Sequence, residues 1–380
     1  MKSSYKVQLA ILIIAVISAL LVGAILLLVV RANPFTAYQA MLLGPFSSLY
    51  GLTETAAKAT PLMLVGLGIV IAFRSGILNI GGEGQMIIGA LAGTVVAIAL
   101  QNWSPFLLLP LTMLAGFLGG AIYGAIPGAL RAYFKVNEIL STIMLNAIAQ
   151  QVLVFLLRGP LIDPTEIAYG TGFPQTQQLA KGIWLGKLIP QTRLHWGFVI
   201  AIVLAIIVYV FLWRTVIGYR LRAVGAGPKA ARYAGIPVEG GLILAMALSG
   251  GFAGLAGIVE VLGIHHRLLD GVSAGYGFTG IVAALFGRLH PIGLIPASFL
   301  FGALVLGADM MQRAVAIPAA IVLTIQGIMV LFVVGSDIFI RRPEWVEKVT
   351  APLRRKPSQP ALVATVSSSA SSDQGEPPSD

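Results

Sequence analysis

Residues 55–100 read TAAKATPLMLVGLGIVIAFRSGILNIGGEGQMIIGALAGTVVAIAL. Two apolar runs, 55–73 and 77–100, each approach or exceed the roughly 20 residues an α-helix needs to cross a bilayer. Arg74 separates them, and three glycines within four positions (Gly81, Gly82, Gly84) interrupt the second run beside Asn79, Glu83 and Gln85. Apolar spans paired about a short basic turn predict a helical membrane protein.

Composition extends this to the whole chain. Of 380 residues, 57% are apolar and 11% charged, and the mean hydropathy is +0.89. A soluble chain is about 25% charged, so these values exclude a soluble enzyme, a nucleic-acid-binding domain and a disordered chain. Candidate spans lie at 7–30, 55–73, 77–100, 104–130, 137–157, 196–213, 240–262, 276–288, 291–310 and 317–338. The expected fold is an all-α polytopic membrane helical bundle of about ten transmembrane helices, with the short piece at 276–288 half-inserted. The net charge of +10 fits orientation better than nucleic acid: with both termini cytoplasmic, 17 of the 25 Lys and Arg residues fall inside. Without cysteine, disulfides and thiolate metal sites are excluded, and no cofactor or metal is implied.

The expected organisation is a permease domain at 1–342 and a cytoplasmic tail at 343–380, disordered from about 351 where Ser, Pro and Ala dominate. Residues 31–54 read as a short interfacial helix and turn, 158–195 as the longest external loop, and 214–239 as a cytoplasmic loop. Within that last loop Pro228 and Gly235 bracket a two-turn helix. The pairs Gly116/Gly120 and Gly250/Gly254 form GxxxG patterns, which let helices pack closely in lipid, within one bundle or at a subunit interface.

Several polar groups fall in or beside the spans. Asn79, Glu83 and Gln85 mark either a broken helix suited to polar ligands or a solvated turn beside Arg74. Asn137 and Glu138 suit a helix cap, and Asn146 and Gln150 share one face deeper in the same span. Glu260, with His265, His266, Arg267 and Asp270, reads as a polar outer mouth rather than a metal site. Gly271–Gly275 matches GxSxG, but not between a strand and a helix. No GxxxxGK[ST] occurs, so ATP-driven transport would need a motor on a separate polypeptide.

The chain resembles the permease subunits of bacterial ABC importers for nucleosides and simple sugars, the branched-chain-amino-acid and ribose-type group. The likeness rests on Asn79–Gln85, Asn137–Asn146, Leu221–Gly225, Ala230–Ile236, Leu248–Gly257 and Gly275–Phe278. It implies a second permease subunit, the same or different, two cytoplasmic ATPase subunits gripping the loop, and an extracytoplasmic solute-binding protein. Arg220, Arg222, Lys229, Arg232 and Tyr233 are the residues expected at the ATPase contact. Asn79, Glu83, Gln85, Asn137, Glu138, Asn146 and Glu260 are the translocation-pathway candidates, and nucleic acid is not an expected partner. Two other readings stand behind this one: a proton-coupled secondary transporter using Glu83, Glu138, Glu260 or Asp309, and a membrane hydrolase using Ser273 with His290.

Overall fold

A computed structural model describes residues 5–335, apart from 171, 319, 326, 329, 330, 333 and 334. The tail expected at 343–380 and parts of the span at 317–338 lie outside the described residues. Among those described there is no strand, only isolated bridges at Gln175–Leu269 and Lys187–His195. The helices are α1 (Tyr5–Val29), α2 (Pro34–Leu43), α3 (Leu49–Arg74), α4 (Gly82–Ala99), α5 (Pro105–Phe134) and α6 (Glu138–Arg158). They continue with α7 (Pro164–Ala168), α8 (Gly197–Arg214), α9 (Val216–Ala226), α10 (Pro228–Tyr233), α11 (Val238–Glu260), α12 (Tyr276–Phe286) and α13 (Pro291–Val315).

Among the described residues, seven are long and apolar enough to span a membrane: α3, α4, α5, α6, α8, α13 and α11 with the π-turn Val261–His265 that prolongs it. The apolar stretches at 17–29 and in α12 are shorter. These lengths make the molecule a polytopic helical membrane protein.

The helices differ in what surrounds them. In the most apolar window of α3, 89% of residues are buried, against 17% in α6, so α3 is a core helix and α6 leaves most of its apolar surface outside the bundle of this chain. Small residues make the centre possible. On α5, Gly116, Gly120 and Gly124 lie against Met246, Gly250 and Gly254 of α11. A Cβ at Gly124 would sit 2.5 Å from the Met246 carbonyl oxygen, and one at Gly120 would overlap the backbone of Gly250 and Gly254. Gly89 of α4 meets Gly254 in the same crossing. The two GxxxG pairs are thus two halves of one contact, where backbones approach because lipid offers helices no hydrophobic drive to associate.

The loop at 158–195 folds back onto the bundle. Leu179, Ile183 and Leu185 are buried in the main core. The Leu179 N–H donates to the His266 carbonyl (2.9 Å), and that of Leu185 to Leu262 (3.0 Å), a carbonyl within the π-turn. Such turns leave backbone groups out of helical register, and here the loop takes one up. Trp184 stacks on His266 with ring centroids 3.8 Å apart.

The segment 214–239 corrects the sequence-based reading. Besides the expected helix α10, ended at Gly235 with φ +75°, residues 216–226 form a second helix, α9. The Thr215 hydroxyl caps its start by accepting from the Gly218 N–H (3.1 Å), and Leu221 and Val224 face inward.

Candidate functional site

The break at residues 75–81 is where the sequence interrupts a span with polar groups. The chain leaves α3 at Ser75, whose hydroxyl bonds back to the Ile71 carbonyl (2.8 Å). Gly76, at φ +77°, turns it, pressed against Gly225 of α9: a Cβ on Gly76 would lie 2.9 Å from the Gly225 Cα. The chain then climbs back into the bundle without helical structure and reaches Gly82, level with Val65 of α3, where α4 starts. Non-helical backbone at this depth is tolerable only where protein satisfies its polar groups.

Two side chains, Asn146 and Asn79, do so, the second braced by Gln85 and Ser249. Asn146 of α6 accepts from the Gly84 N–H (2.8 Å) through Oδ1 and donates from Nδ2 to the Ile80 carbonyl (3.0 Å). Asn79 Nδ2 donates to Gln85 Oε1 (2.7 Å) and to Ser249 Oγ of α11 (2.8 Å). Its Oδ1 accepts from the Gly81 N–H (2.9 Å) and from Gln85 Nε2 (3.1 Å). Asn79 therefore spends its hydrogen-bonding capacity inside the protein, and with Asn146 it holds the break in shape. Gln150, one turn beyond Asn146, donates to Asp270 (2.7 Å), so this polar face of α6 meets protein.

Glu83 does something different. Its Oε1 accepts from the Gly277 N–H (2.8 Å) at the start of α12, and the Ser273 hydroxyl and Phe278 N–H also bond to this carboxylate. Gly82 and Gly277 touch there: a Cβ on Gly82 would lie 3.2 Å from the Gly277 Cα. Two interrupted helices, α4 and α12, thus meet N-terminus to N-terminus with a buried carboxylate between them. Helix N-termini carry partial positive charge, so the anion offsets the repulsion that bringing them together creates.

Asn137 and Glu138 are not part of this cluster. Asn137 Oδ1 caps α6 by accepting from the Ile139 N–H (2.9 Å), and Glu138 pairs with Arg131 (3.3 Å). Glu260 lies in a second cluster, immediately before the π-turn, with His265 Nε2 3.8 Å from its Oε1. Glu54, Lys58 and Arg193 lie within its electrostatic reach. Arg193 bonds to the buried Glu54 (3.0 Å) and Lys58 pairs with Asp309 (3.6 Å). The pairings of Glu54, Lys58 and Arg193 went unread in the sequence; the one available signal was the i, i+4 spacing of Glu54 and Lys58 near the start of an apolar run. Nearby His195 is buried ahead of α8, and its Nδ1 accepts from the Gly197 N–H (3.1 Å). Burial pushes its pKa down to about 4, with the charges of His266 and Arg193 acting the same way, so the ring is neutral. The hydrolase pair stays apart: Ser273 serves Glu83, while His290 packs on Tyr209 and Trp213.

At the Arg74 end, Arg222 lies 5.5 Å from the centroid of Trp213 and donates from Nε to the Leu212 carbonyl (2.9 Å). Arg74 approaches the same ring and donates to the Leu289 carbonyl (2.9 Å). Arg222 therefore fastens α9 to α8. Arg232 pairs with Glu239. Arg220 and Lys229 are exposed, and Tyr233 is 94% exposed beside a shallow cavity of about 550 Å³ between α9 and α10.

The profile of the "Branched-chain amino acid transport system / permease component" family matches residues 51–334. A glucose ABC transporter permease protein of Haloferax volcanii is 36% identical over 87% of this chain and 88% of its own length. A guanosine ABC transporter permease protein of Bacillus subtilis is 34% identical over 85% of this chain and 92% of its own. A nucleoside ABC transporter permease protein of Lactococcus lactis is 31% identical over 84% and 89%. In Bacillus and Lactococcus alike, a second permease protein named for the same solute also matches. With seven membrane-length helices among the described residues and the interrupted pair α4 and α12, the chain belongs to the branched-chain amino acid transport system / permease component family, as a multi-pass transport subunit of an ABC transporter.

Proposed function

We propose that this chain forms one half of the membrane pathway of an ATP-driven importer whose solute is a nucleoside or, failing that, a simple sugar. The observation that carries the reading is the meeting of α4 and α12 at Glu83, inside a bundle whose relatives are named for those solutes. Discontinuous helices with polar groups at their junction are how membrane transporters build a solute site at mid-depth. Asn79 and Asn146 hold the junction in shape by satisfying its backbone without continuous helix, with Gln85 bracing Asn79. Glu83 ties α4 to α12 so that they move together.

The partners follow from the same reading. Both termini and the Arg74 end face the cytoplasm, where two ATPase subunits grip α9 and α10 through Arg220, Lys229, Arg232 and Tyr233. A second permease, the same chain or a different one, completes the pathway, and an extracytoplasmic binding protein delivers solute to the opposite end. The paired permeases of Bacillus and Lactococcus support a heteromeric arrangement.

The test is uptake of labelled guanosine and glucose into vesicles holding this chain with its ATPase and permease partners, supplied with the binding protein and ATP. Uptake is expected to require ATP and to fall at least tenfold with Glu83→Gln, which weakens the clamp on α12. Uptake by this chain alone, driven by a proton gradient, overturns the proposal.

A further inference from the structure

On the far side of the first turn of α12 from Glu83 lies a cavity of about 470 Å³, within the range of small-molecule pockets. It is bounded by α3, the start of α12, α13 and the residues Val322, Leu323 and Gly327. Its polar wall holds Lys58, Thr279, Asp309 and Gln312, and its apolar wall holds Phe278 and Val282 among others. Lys58 and Asp309 face each other at 3.6 Å, the lysine a quarter and the aspartate about half exposed. A charged pair in a membrane segment is costly and marks a pathway or ligand site by default.

We propose that this cavity is a solute subsite that takes a neutral ring bearing adjacent hydroxyls, with the diol donated to Asp309. The chemistry follows from the lining. The two charges neutralise each other, which disfavours an ionic solute. Asp309 still has acceptor capacity toward the cavity, because one lysine contact leaves most of a carboxylate's lone pairs unused. Two adjacent hydroxyls match two carboxylate oxygens, and such charge-assisted bonds are the strong ones. Lys58, Thr279 and Gln312 supply donors to further solute oxygens, while Phe278, half exposed, presents a face for a ring. A zwitterion would have to part the ion pair before binding. The inference rests on the importer reading above and adds to it where the solute sits and which of its groups is recognised. The cavity and the Glu83 clamp share one turn of α12: Tyr276 and Phe278 line the cavity while Gly277 between them is held by Glu83, so filling one side bears on the other.

The experiment compares guanosine with 2′,3′-dideoxyguanosine, by equilibrium binding to the full-length chain in lipid nanodiscs. Guanosine is expected to bind about tenfold more tightly or better. Asp309→Asn should erase that preference while leaving dideoxyguanosine affinity within about twofold. Should Asp309→Asn fail to assemble, Gln312→Leu is expected to weaken guanosine about threefold in a monodisperse protein. Equal binding of the two nucleosides, a diol preference that survives Asp309→Asn, an unchanged Gln312→Leu affinity, or displacement of guanosine by leucine each overturns the subsite. Uptake by the complete importer is measured in parallel. Absence of nucleoside and sugar uptake by an intact assembly defeats the importer reading itself, whereas uptake with no preference for the diol defeats the subsite alone.

Discussion

The two long connections, 158–195 and 214–239, use their residues in opposite ways. The first is mostly irregular yet closed: Leu179, Ile183, Leu185 and His195 are buried, and backbone hydrogen bonds sew it to the segment 262–268. The second is almost wholly helical yet presents itself: Tyr233 and Lys229 stand free of the bundle, while Leu221 joins the main core and Val224, Ala231 and Val238 form a small core of their own. Regular structure therefore does not track burial here. The irregular connection is packed into the fold, and the helical one keeps most of its polar side chains exposed.

That contrast can be broken in four ways. The largest effect is expected from acid. The folded His195 ring resists protonation down to about pH 4, while an unfolded histidine titrates near 6.5, so the released loop binds more protons between those values. Stability of the docked loop thus rises with pH through that window and is lost as pH falls, by about 3 kcal/mol in all. Hydrogen exchange across 176–195 should report this loosening, and His195→Gln should flatten it. Trp184→Ala comes next, costing about 2 kcal/mol of loop protection through the lost stack on His266. Tyr233→Ala should change thermal stability by no more than about 0.5 kcal/mol. The smallest effect on stability belongs to Lys229→Glu with Arg232→Glu, expected to leave the fold and membrane insertion unchanged while weakening ATPase association about tenfold. If that pair instead lowers stability like Trp184→Ala, the two connections are not opposites.

Much of this was legible in the sequence, for reasons that differ by element. The long apolar helices declare themselves because lipid demands their length, and α12 reads as short because 276–288 is short. The Gly116/Gly120 and Gly250/Gly254 pairs pointed to close packing, though not to each other. Helix α9 escaped because its pattern is brief, yet Thr215 as a cap and Leu221 with Val224 at i, i+3 were there to be read. Asn79, Glu83 and Gln85 were visible as a break in a span. That Asn79 is saturated by Gln85 and Ser249, while Glu83 reaches Gly277, depends on residues far apart in the chain and could not be read locally. The same distance hid Arg193 from Glu54 and Lys58 from Asp309.

One contact described above has a mechanical meaning. Gly225 of α9 rests directly on the backbone of Arg74, Ser75 and Gly76, with no side chain between to flex. Two backbones in van der Waals contact have no slack, because closely packed interiors transmit displacement rather than absorb it. A displacement of α9 therefore acts as on a push-rod. It meets the turn at Gly76, and the next few residues are Asn79 to Gln85. Any displacement of α9 thus reaches the interrupted helices through three residues of main chain, Arg74, Ser75 and Gly76.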